Sequence, residues 1–561
     1  MRLLDPITSP ALRLWRYLDR SQALRRSSWV VPLAFGLFSL LLGQDTNWDL
    51  RNYHHYAPYA LLHGRIGFDL APAQWQSYFN PAQDLLYYGL NAALPAPLAG
   101  FIMGLLHGLN FVVVLGIART VVRGNRRALL LALAGCLGAG FVAELGNSMG
   151  DNLIALFVLG ALWLLLARWH TLTVPGAAKA LIGAGLLAGL GTGFKLTNAI
   201  YALALCLALL SVPGSRWQRL RGAVVFGLAT LAGIGASAGF WYWKMWQVYG
   251  NPLFPQFNNL FMSPMAAPVG IGDTRWLPDG VLERLLWPFI FTLHPARVIE
   301  LPLHQLIWPI VYVLALVFIV VRLVLRRPAR DGVDRNTSGQ ARMLLLFIGL
   351  AYVLWLNLFS IYRYLVPAEL LAPLVVWLLL QQLLPAPRAR TAAFCLLVVA
   401  MLGALPPQQW GHSRWNRQAL RVTTPALPDP AQNLVFIVHG DPPMAWTAPF
   451  FPAQVAFISI GAGFPESPAY RARVRAMVAQ RRGPFYVTVY HSAPNKLRLF
   501  QRARVVDYDA VNAARLASAT DTAAQYGLRL DAATCRVYDA FMGEQRNQYR
   551  LCEVSPVAVK N

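Results

Sequence analysis

The stretch from Gln44 to Asn91 decides how the chain is organised: QDTNWDLRNYHHYAPYALLHGRIGFDLAPAQWQSYFNPAQDLLYYGLN. It begins where the first long apolar run, residues 29–43, ends, so we expect its polar groups at a membrane surface. Three histidines and many Tyr, Trp and Asn residues accompany its four aspartates, which are Asp45, Asp49, Asp69 and Asp84. This concentration of hydrogen-bonding groups predicts half of an active site on the non-cytoplasmic side.

The composition indicates a membrane protein. Of the 561 residues, 56% are hydrophobic and only 13% are charged, whereas soluble proteins are about 25% charged. The formal net charge of +24 is spread over short basic segments between apolar runs, which is the pattern of cytoplasmic loops. Such loops are attracted to anionic lipid. We therefore expect a lipid bilayer as a partner and no nucleic acid.

The apolar runs predict a polytopic α-helical membrane protein with about eleven transmembrane helices within residues 29–405. A basic amphipathic segment, residues 1–28, precedes them on the cytoplasmic side. The run 180–212 would make one helix of about 50 Å, but the hydrocarbon core is about 30 Å thick. Both of its flanks are basic, so it must cross twice, with an outer turn near Lys195. The two large outer loops are residues 44–91 and 244–300.

An odd number of crossings places residues 406–561 on the side opposite the N-terminus. Strand-like runs at Leu434–Val438, Val455–Ile460 and Phe485–Tyr490 alternate there with helical stretches at 470–482 and 509–526. This alternation predicts a small C-terminal α/β domain, periplasmic in a bacterium.

Two of the five cysteines, Cys535 and Cys552, lie in this tail. Outside the cytoplasm they are candidates for a disulfide, which for a loop of this size contributes roughly 3 kcal/mol of stability. The alternative is two unrelated thiols.

Asp45 and Asp49 are four residues apart, so on a helix both carboxylates project from one face. A carboxylate at the membrane surface is suited to accept a proton from an acceptor hydroxyl. The alternative is structural: Thr46 and Asp49 have the spacing of a capping box, and Asp45 is suited to cap the same helix. The spacing leaves both interpretations open.

A family resemblance emerges from the residues after Asp49. They include Tyr53, Ala57, LLHG at 61–64, YFNP at 78–81 and the pair Tyr87-Tyr88. This pattern resembles the first outer loop of the GT-C superfamily of integral-membrane glycosyltransferases, above all the aminoarabinose and protein mannosyl transferases. The resemblance implies that Asp49, with Asp45 as second candidate, is the catalytic or acceptor-orienting acid. One departure is Asn80-Pro81-Ala82-Gln83-Asp84, where relatives often carry a double proline before the tyrosine.

The resemblance extends along the membrane half. Glu144 and Asp151 correspond to the acids of the family's outer hairpin, GLGTGFKLTNA with Lys195 is similar to its Gly-x-Lys turn, and RYLVP from Arg363 resembles its late Arg-Tyr turn. Lys195 and Arg363, with Tyr364, are then expected to bind the donor's lipid phosphate and to stabilise it as a leaving group. The alternative is that both cations snorkel from the ends of spans.

Seven polar residues are candidates for binding sugar or acceptor: Asn52, Tyr53, His54, Asn80, Glu144, Asn147 and Asp151. Two are open to a second interpretation, because Asp151 is also a suitable helix start and His54 a suitable interfacial hydrogen-bonding group. Asn147 and Asp151 are also of the type that contacts a divalent cation, and the sequence does not decide whether a metal is needed.

We therefore expect a glycosyltransferase of the bacterial inner membrane. It would move a sugar from a polyprenyl-phosphate donor to a glycan, lipid or protein acceptor on the periplasmic face, with inversion as the family mechanism implies. One alternative is a lipid-linked saccharide transporter or flippase, which would need charged residues along a path through the bilayer. Another is an assembly subunit for envelope polysaccharide that acts through its tail and has no catalytic role for Asp49.

Overall fold

The computed structural model describes residues 10–174, 176–325, 335–494 and 507–557. The protein is mostly helical and carries a C-terminal sheet domain. Residues 1–9 of the predicted amphipathic segment lie outside the described residues. The longer helices of the first 405 residues are Ser21–Leu42, Ala96–Val121, Asn125–Gly135, Asp151–Ala167, Ala178–Phe194, Ala199–Ala208, Arg216–Tyr249, Gly280–Leu293, Ile307–Ile319, Arg335–Leu358, Val366–Leu383 and Ala386–Gly403. Shorter ones include Pro10–Tyr17, Tyr56–Leu62, Asp84–Ala93 and Ala139–Ala143.

Within the described ranges, five helical segments are long and apolar enough to cross a membrane: Ala96–Val121, Arg216–Tyr249, Gly339–Leu358, Tyr362–Leu383 and Ala386–Gly403. Four shorter apolar helices accompany them: Asp151–Ala167, Ala178–Phe194, Leu196–Ser211 and Ile307–Arg322. This number is smaller than the eleven spans predicted, because several of the apolar runs form helices that are short or interrupted. The helices therefore indicate a membrane protein, but one with fewer full-length spans than the apolar runs of the sequence predicted.

The run 180–212 is divided at the predicted place. The helix Ala178–Phe194 ends at Lys195, whose backbone is extended at φ −142° and ψ 107°, and a new helix begins at Ala199. Small residues let the first of these helices approach Arg216–Tyr249 closely: a Cβ added at Gly189 would lie 2.9 Å from the Cα of Gly233. Close contact of this kind is typical of helix pairs in membranes. It fixes the position of the turn that carries Lys195.

The C-terminal domain is an α/β domain, as predicted. Seven strands form its sheet, in the spatial order Leu420–Val422, Arg536–Met542, Gln545–Pro556, Phe485–His491, Leu434–Ile437 and Ala456–Ser459, with Leu528–Leu530 also paired to Gln545–Pro556. The last three strands of this order are parallel, and the other pairings are antiparallel. The helices Pro468–Ala479 and Tyr508–Gln525 accompany the sheet. Cys535 and Cys552 form a disulfide, which links the start of one antiparallel strand to its neighbour.

The first outer loop is hydrogen-bonded to an edge strand of this sheet. Leu70 lies beside the edge strand Ala456–Ser459: its N–H donates to Phe457 O over 2.9 Å, and Ser459 N donates to its carbonyl over 2.8 Å. Asp69 accepts from Phe457 N at 2.8 Å and pairs with Arg65 at 2.7 Å. The loop therefore holds the sheet domain against the membrane half.

Two further contacts support the same arrangement. Gln44–Asp45 pairs antiparallel with His412–Ser413, the first residues of the tail to form a strand. The aromatic rings of Tyr78, Tyr249, Phe254 and Phe464 pack together at centroid distances of 4.1 to 6.2 Å. These rings come from the first outer loop, the end of the long helix, the second outer loop and the C-terminal domain. The end of the long helix, where Trp241 and Tyr249 are buried, thus belongs to a packed core, although Trp243 and Trp246 remain exposed.

Candidate active site

Asp49 lies at the centre of a buried charged site. Its carboxylate forms an ion pair with the guanidinium of Arg363, which comes from the turn before the helix Val366–Leu383. The hydroxyl of Tyr53, one helical turn further on, is 3.4 Å from the same carboxylate oxygen. Asp49 makes no capping hydrogen bond. The carboxylate is therefore held by a cation from 314 positions away.

Lys195 forms a second pair beside the first. Its Nζ is 2.7 Å from the carboxylate of Asp151 and donates to the carbonyl of Met149 over 3.0 Å. The ring of Tyr364 lies 5.3 Å from Lys195 Nζ and 5.3 Å from the guanidinium carbon of Arg363. Both cations thus meet at one aromatic ring, and the three residues predicted to bind lipid phosphate are adjacent. The turn before Asp151 depends on Gly150, which has a left-handed φ of +85° that suits glycine.

Several buried polar atoms around these pairs have no hydrogen-bond partner among the described residues. They are both amide atoms of Asn52, Nε2 of His54, both carboxylate oxygens of Glu144 and Nδ2 of Asn147. Each of these side chains is at most 2% exposed. Buried polar groups are usually hydrogen-bonded, so these atoms need partners that the described residues do not supply, such as water or a bound ligand.

Asp45 has different surroundings. One carboxylate oxygen accepts from the backbone N–H of Asn47 at 2.9 Å, and the other accepts from Ser148 N at 2.8 Å and Ser148 Oγ at 2.7 Å. The Asn47 amide donates to both oxygens at 2.8 Å. These contacts join the first outer loop to the turn that precedes Asp151. They favour the structural interpretation of Asp45 over the catalytic one.

The capping role proposed for the two aspartates belongs to another residue. Asn47 Oδ1 accepts from the backbone N–H of Leu50 at 2.7 Å, which is the geometry of an N-cap. Asp45 holds that cap in place, and Asp49 lies inside the helical turn with its carboxylate available for Arg363. The helix that follows has a π-helical turn, Leu50–His54. Such turns are frequent at functional sites.

Two of the other candidates have defined partners. Nδ1 of His54 is 2.7 Å from the carboxylate of Asp84. Asn80 donates to the carbonyls of Gly193 at 2.8 Å and Ser237 at 3.0 Å, and its Oδ1 accepts from Ala82 N at 3.1 Å. Asn80 therefore attaches the first outer loop to the turn of Lys195, and its contacts are those of a positioning residue and not of a sugar ligand.

Burial and neighbouring charges set the protonation of the acids outside the spans. Burial favours a raised pKa for Asp49, but Arg363, helped by His54 and Lys195, outweighs it, so the pKa lies below its ordinary value and the group is ionised at neutral pH. For Glu144, burial and the negative charge of Asp151 raise the pKa well above its ordinary value. Burial also raises the pKa of Asp84 despite its contact with His54.

Sequence reasoning missed Glu369, which braces the turn of Arg363. Its carboxylate accepts from the backbone N–H groups of Gly140 at 3.1 Å and Phe141 at 3.0 Å and from the hydroxyl of Tyr362 at 2.6 Å. Tyr362 is the residue before Arg363, so this network holds the turn from which Arg363 projects. A signal existed, because Glu369 is the one acidic residue within Tyr362–Leu383, and an acid inside an apolar span suggests a function.

The described part of the chain contains no group of three or more His, Cys, Asp or Glu side chains that could hold a metal ion. No protein-family model matches the sequence, and no curated protein matches it significantly. The site's geometry therefore carries the functional argument.

Proposed function

We propose that this protein is a membrane glycosyltransferase that moves a sugar from a polyprenyl-phosphate donor to an acceptor hydroxyl or amine. The observation that carries the proposal is the convergence of Arg363 and Lys195 on Tyr364, beside the ionised Asp49 and a group of buried polar atoms without partners. A paired acid and two cations at one place suit a reaction in which one partner loses a proton and the other leaves as a phosphate.

The donor atoms still available support binding of phosphate. A guanidinium has five N–H donors and an ammonium has three. The described hydrogen bonds engage one guanidinium donor of Arg363, to Asp49, and one ammonium donor of Lys195, to Met149; Lys195 is also ion-paired with Asp151. While both ion pairs are intact, Asp49 and Asp151 neutralise the two cations. A phosphate that binds there therefore competes with these two carboxylates for cations that are already in position. Its negative charge grows as the glycosidic bond breaks, and that growth strengthens both contacts.

The chemical step would be a single displacement. The acceptor oxygen or nitrogen forms a bond to the anomeric carbon, the bond from that carbon to the phosphate oxygen breaks, and the electron pair leaves with the polyprenyl phosphate. The proton of the acceptor passes to Asp49 or, through it, to solvent. Because the low pKa of Asp49 makes it a weak base, its larger role is to orient the acceptor hydroxyl. Inversion follows from a single displacement, and a product of retained configuration would contradict this mechanism.

The proposal includes a topology. The chain would cross the bacterial inner membrane about eleven times, with helices shorter than a full span among the crossings, the N-terminus cytoplasmic and the sheet domain periplasmic. Lys195, Asp49 and Arg363 then lie at the periplasmic surface, where an outer-leaflet donor reaches them laterally. Cysteine labelling of single-cysteine variants from the two sides of the membrane would test this sidedness.

A reaction with purified protein tests the function. Purified protein in detergent is incubated with polyprenyl-phosphate sugars that were extracted from the membranes of cells that naturally make the protein. Release of polyprenyl phosphate is then measured by mass spectrometry. We expect release with wild-type protein and little with Asp49→Asn. A transporter would leave the donor intact, and equal release by Asp49→Asn would remove Asp49 from the mechanism.

A further inference from the structure

The carboxyl ends of the parallel strands in the C-terminal domain form a second place where polar side chains gather. Leu434–Ile437 lies between Ala456–Ser459 and Phe485–His491 in the sheet. His439 and Gly440 follow the central strand, and His491 ends its neighbour.

The described elements that follow these two adjacent strands pack on opposite faces of the sheet. The segment Ala445–Phe450, which follows the central strand, packs with Val435 and Ile437 on one face. The helix Tyr508–Gln525 follows Phe485–His491 in the chain, and its Ala519 and Ala523 pack with Val487 and Val489 on the other face. In α/β sheets, ligands bind outside the carboxyl ends of strands whose connections diverge in this way; this end of the sheet is called the crevice below.

Two arginines line this crevice without a carboxylate partner. Arg515 Nη1 donates to Ser492 Oγ over 2.5 Å, and its guanidinium lies 5.0 Å from the ring of Tyr490. Arg550 Nη2 is 3.2 Å from His491 Nδ1. Neither arginine forms an ion pair within the described ranges, although both are half-buried. Burial lowers the pKa of His491 and the negative charge of Asp509 opposes this lowering, but among the described residues Asp509 forms no ion pair with either arginine.

Arg515 also connects the two histidines. Its positive charge adds to burial in lowering the pKa of His439 and, together with Arg550, that of His491. His439 Nε2 is 3.3 Å from Ser518 Oγ, one helical turn after Arg515. The crevice thus has two guanidinium groups without a carboxylate partner, two imidazoles and two hydroxyls. This set of donors is typical of phosphate recognition.

We propose that the C-terminal domain binds a phosphate group in this crevice, held by Arg515 and Arg550 with hydrogen bonds from His439, Ser492 and Ser518. The location suggests what carries the phosphate. The neighbouring Asp441 accepts from the indole N–H of Trp48 at 3.1 Å, and Gly440 O accepts from Gln74 at 2.9 Å. Trp48 precedes Asp49, so a ligand in the crevice lies on the side of the residue that orients the acceptor, and the ligand is then a phosphorylated acceptor. This identification rests on the proposed function, whereas the binding site does not.

Calorimetry on the full chain in detergent tests the site. The probes are glucose 6-phosphate, with glucose as its neutral control, and dihexanoyl phosphatidic acid, which carries a lipid phosphate. We expect saturable binding of at least one phosphate probe and none of glucose. Preference for the sugar phosphate or for the lipid phosphate identifies the source, and failure of both probes to bind overturns the proposal.

Variants give the second readout. Arg515→Gln and Arg550→Gln should each weaken binding at least tenfold, while Arg529→Gln, at an exposed arginine of the same domain, should stay within twofold of wild type. His439→Gln should weaken binding about threefold and serves if an arginine variant does not fold. Unchanged affinity in Arg515→Gln or Arg550→Gln would overturn the site. Wild-type protein that transfers sugar but binds neither probe would contradict this proposal alone, and phosphate binding with full transfer by Asp49→Asn would contradict only the proposed function.

Discussion

Asp45 and Asp49 are four residues apart and both buried, yet their surroundings differ in kind. Asp45 accepts hydrogen bonds from Asn47 and Ser148 at both oxygens. Asp49 is held by the cation of Arg363 and a longer contact to Tyr53, and unpaired polar atoms lie nearby. A carboxylate whose oxygens are fully used by neutral donors holds structure together, whereas one paired with a cation beside unsatisfied groups is available for chemistry.

Replacing Asp49 should give the largest effect of any single change. Asp49→Asn keeps the shape but removes the charge that orients the acceptor, and we expect the transfer rate to fall by about 10²–10⁴-fold. The release of polyprenyl phosphate by purified protein measures this. The substitution also leaves the largely buried guanidinium of Arg363 without its ion-pair partner, so the free energy of unfolding should fall as well, by up to about 3–5 kcal/mol, and the rate is expressed per folded molecule. A loss of activity that merely follows unfolding would make Asp49 a second structural acid.

Replacing Lys195, the cation paired with Asp151, should have the next largest effect. Lys195→Met removes an ammonium that meets growing phosphate charge, so the transfer rate should fall about a hundredfold. The loss should lie mainly in kcat, because the interaction strengthens as the bond breaks. Lys244→Met, at an exposed lysine, is the matched control. A rise in KM alone would assign Lys195 to ground-state binding of the donor.

The comparison predicts the reverse behaviour for Asp45. Asp45→Asn places an amide N–H₂ against existing donors, and we expect the free energy of unfolding to fall by about 2–3 kcal/mol. Transfer per folded molecule should stay within about threefold of wild type. A fall of about 10²–10⁴-fold is expected only where the substituted group acts as a catalytic acid or base. Denaturant unfolding measures the first quantity, with the exposed Asp521→Asn as control. A stable but inactive Asp45→Asn would reverse the two assignments.

A pH titration gives the smallest effect and extends the contrast to the neighbouring histidines. His54 is paired with Asp84, whereas His55 packs against Tyr88 and Phe450 and burial lowers its pKa to about 4. The unfolded chain therefore binds more protons than the folded protein between pH 6.5 and 4. A shift of this size corresponds to about 3 kcal/mol at most, and since His55 is partly exposed we expect the free energy of unfolding to fall by roughly 1–2 kcal/mol as the pH drops through that window.

His55→Gln removes the group that titrates, so its stability should be flatter between pH 6.5 and 4 than that of wild type. Denaturant midpoints at pH 7, 6, 5 and 4 provide the measurement. An identical decline in the variant would assign the pH dependence to another residue.

The features that the sequence predicted well follow from local pattern. The break at Lys195 follows from helix length and flanking charge, the α/β domain from alternating strand and helix signals, and the disulfide from two cysteines in one polar tail. Each of these needs only residues close together in the chain or a physical limit such as bilayer thickness.

The features that were missed depend on contacts between distant residues. Ser148 meets Asp45 across 103 positions, and Glu369 reaches Gly140 across 229. No periodicity encodes such pairs, so capping and catalysis looked alike for the two aspartates until Asn47 was seen to provide the cap. The smaller number of long spans has a similar origin, because short helices that pack against one another need not each match the bilayer thickness.

The most direct test of the account compares the two aspartates in cells. Surface glycans and glycolipids of a deletion strain are profiled by mass spectrometry after complementation with wild type, Asp49→Asn or Asp45→Asn, each expressed to a measured level. The account predicts that one saccharide of defined mass is lost on deletion, returns with wild type and Asp45→Asn in proportion to folded protein, and stays absent with Asp49→Asn. Full restoration by Asp49→Asn would contradict the catalytic role of Asp49.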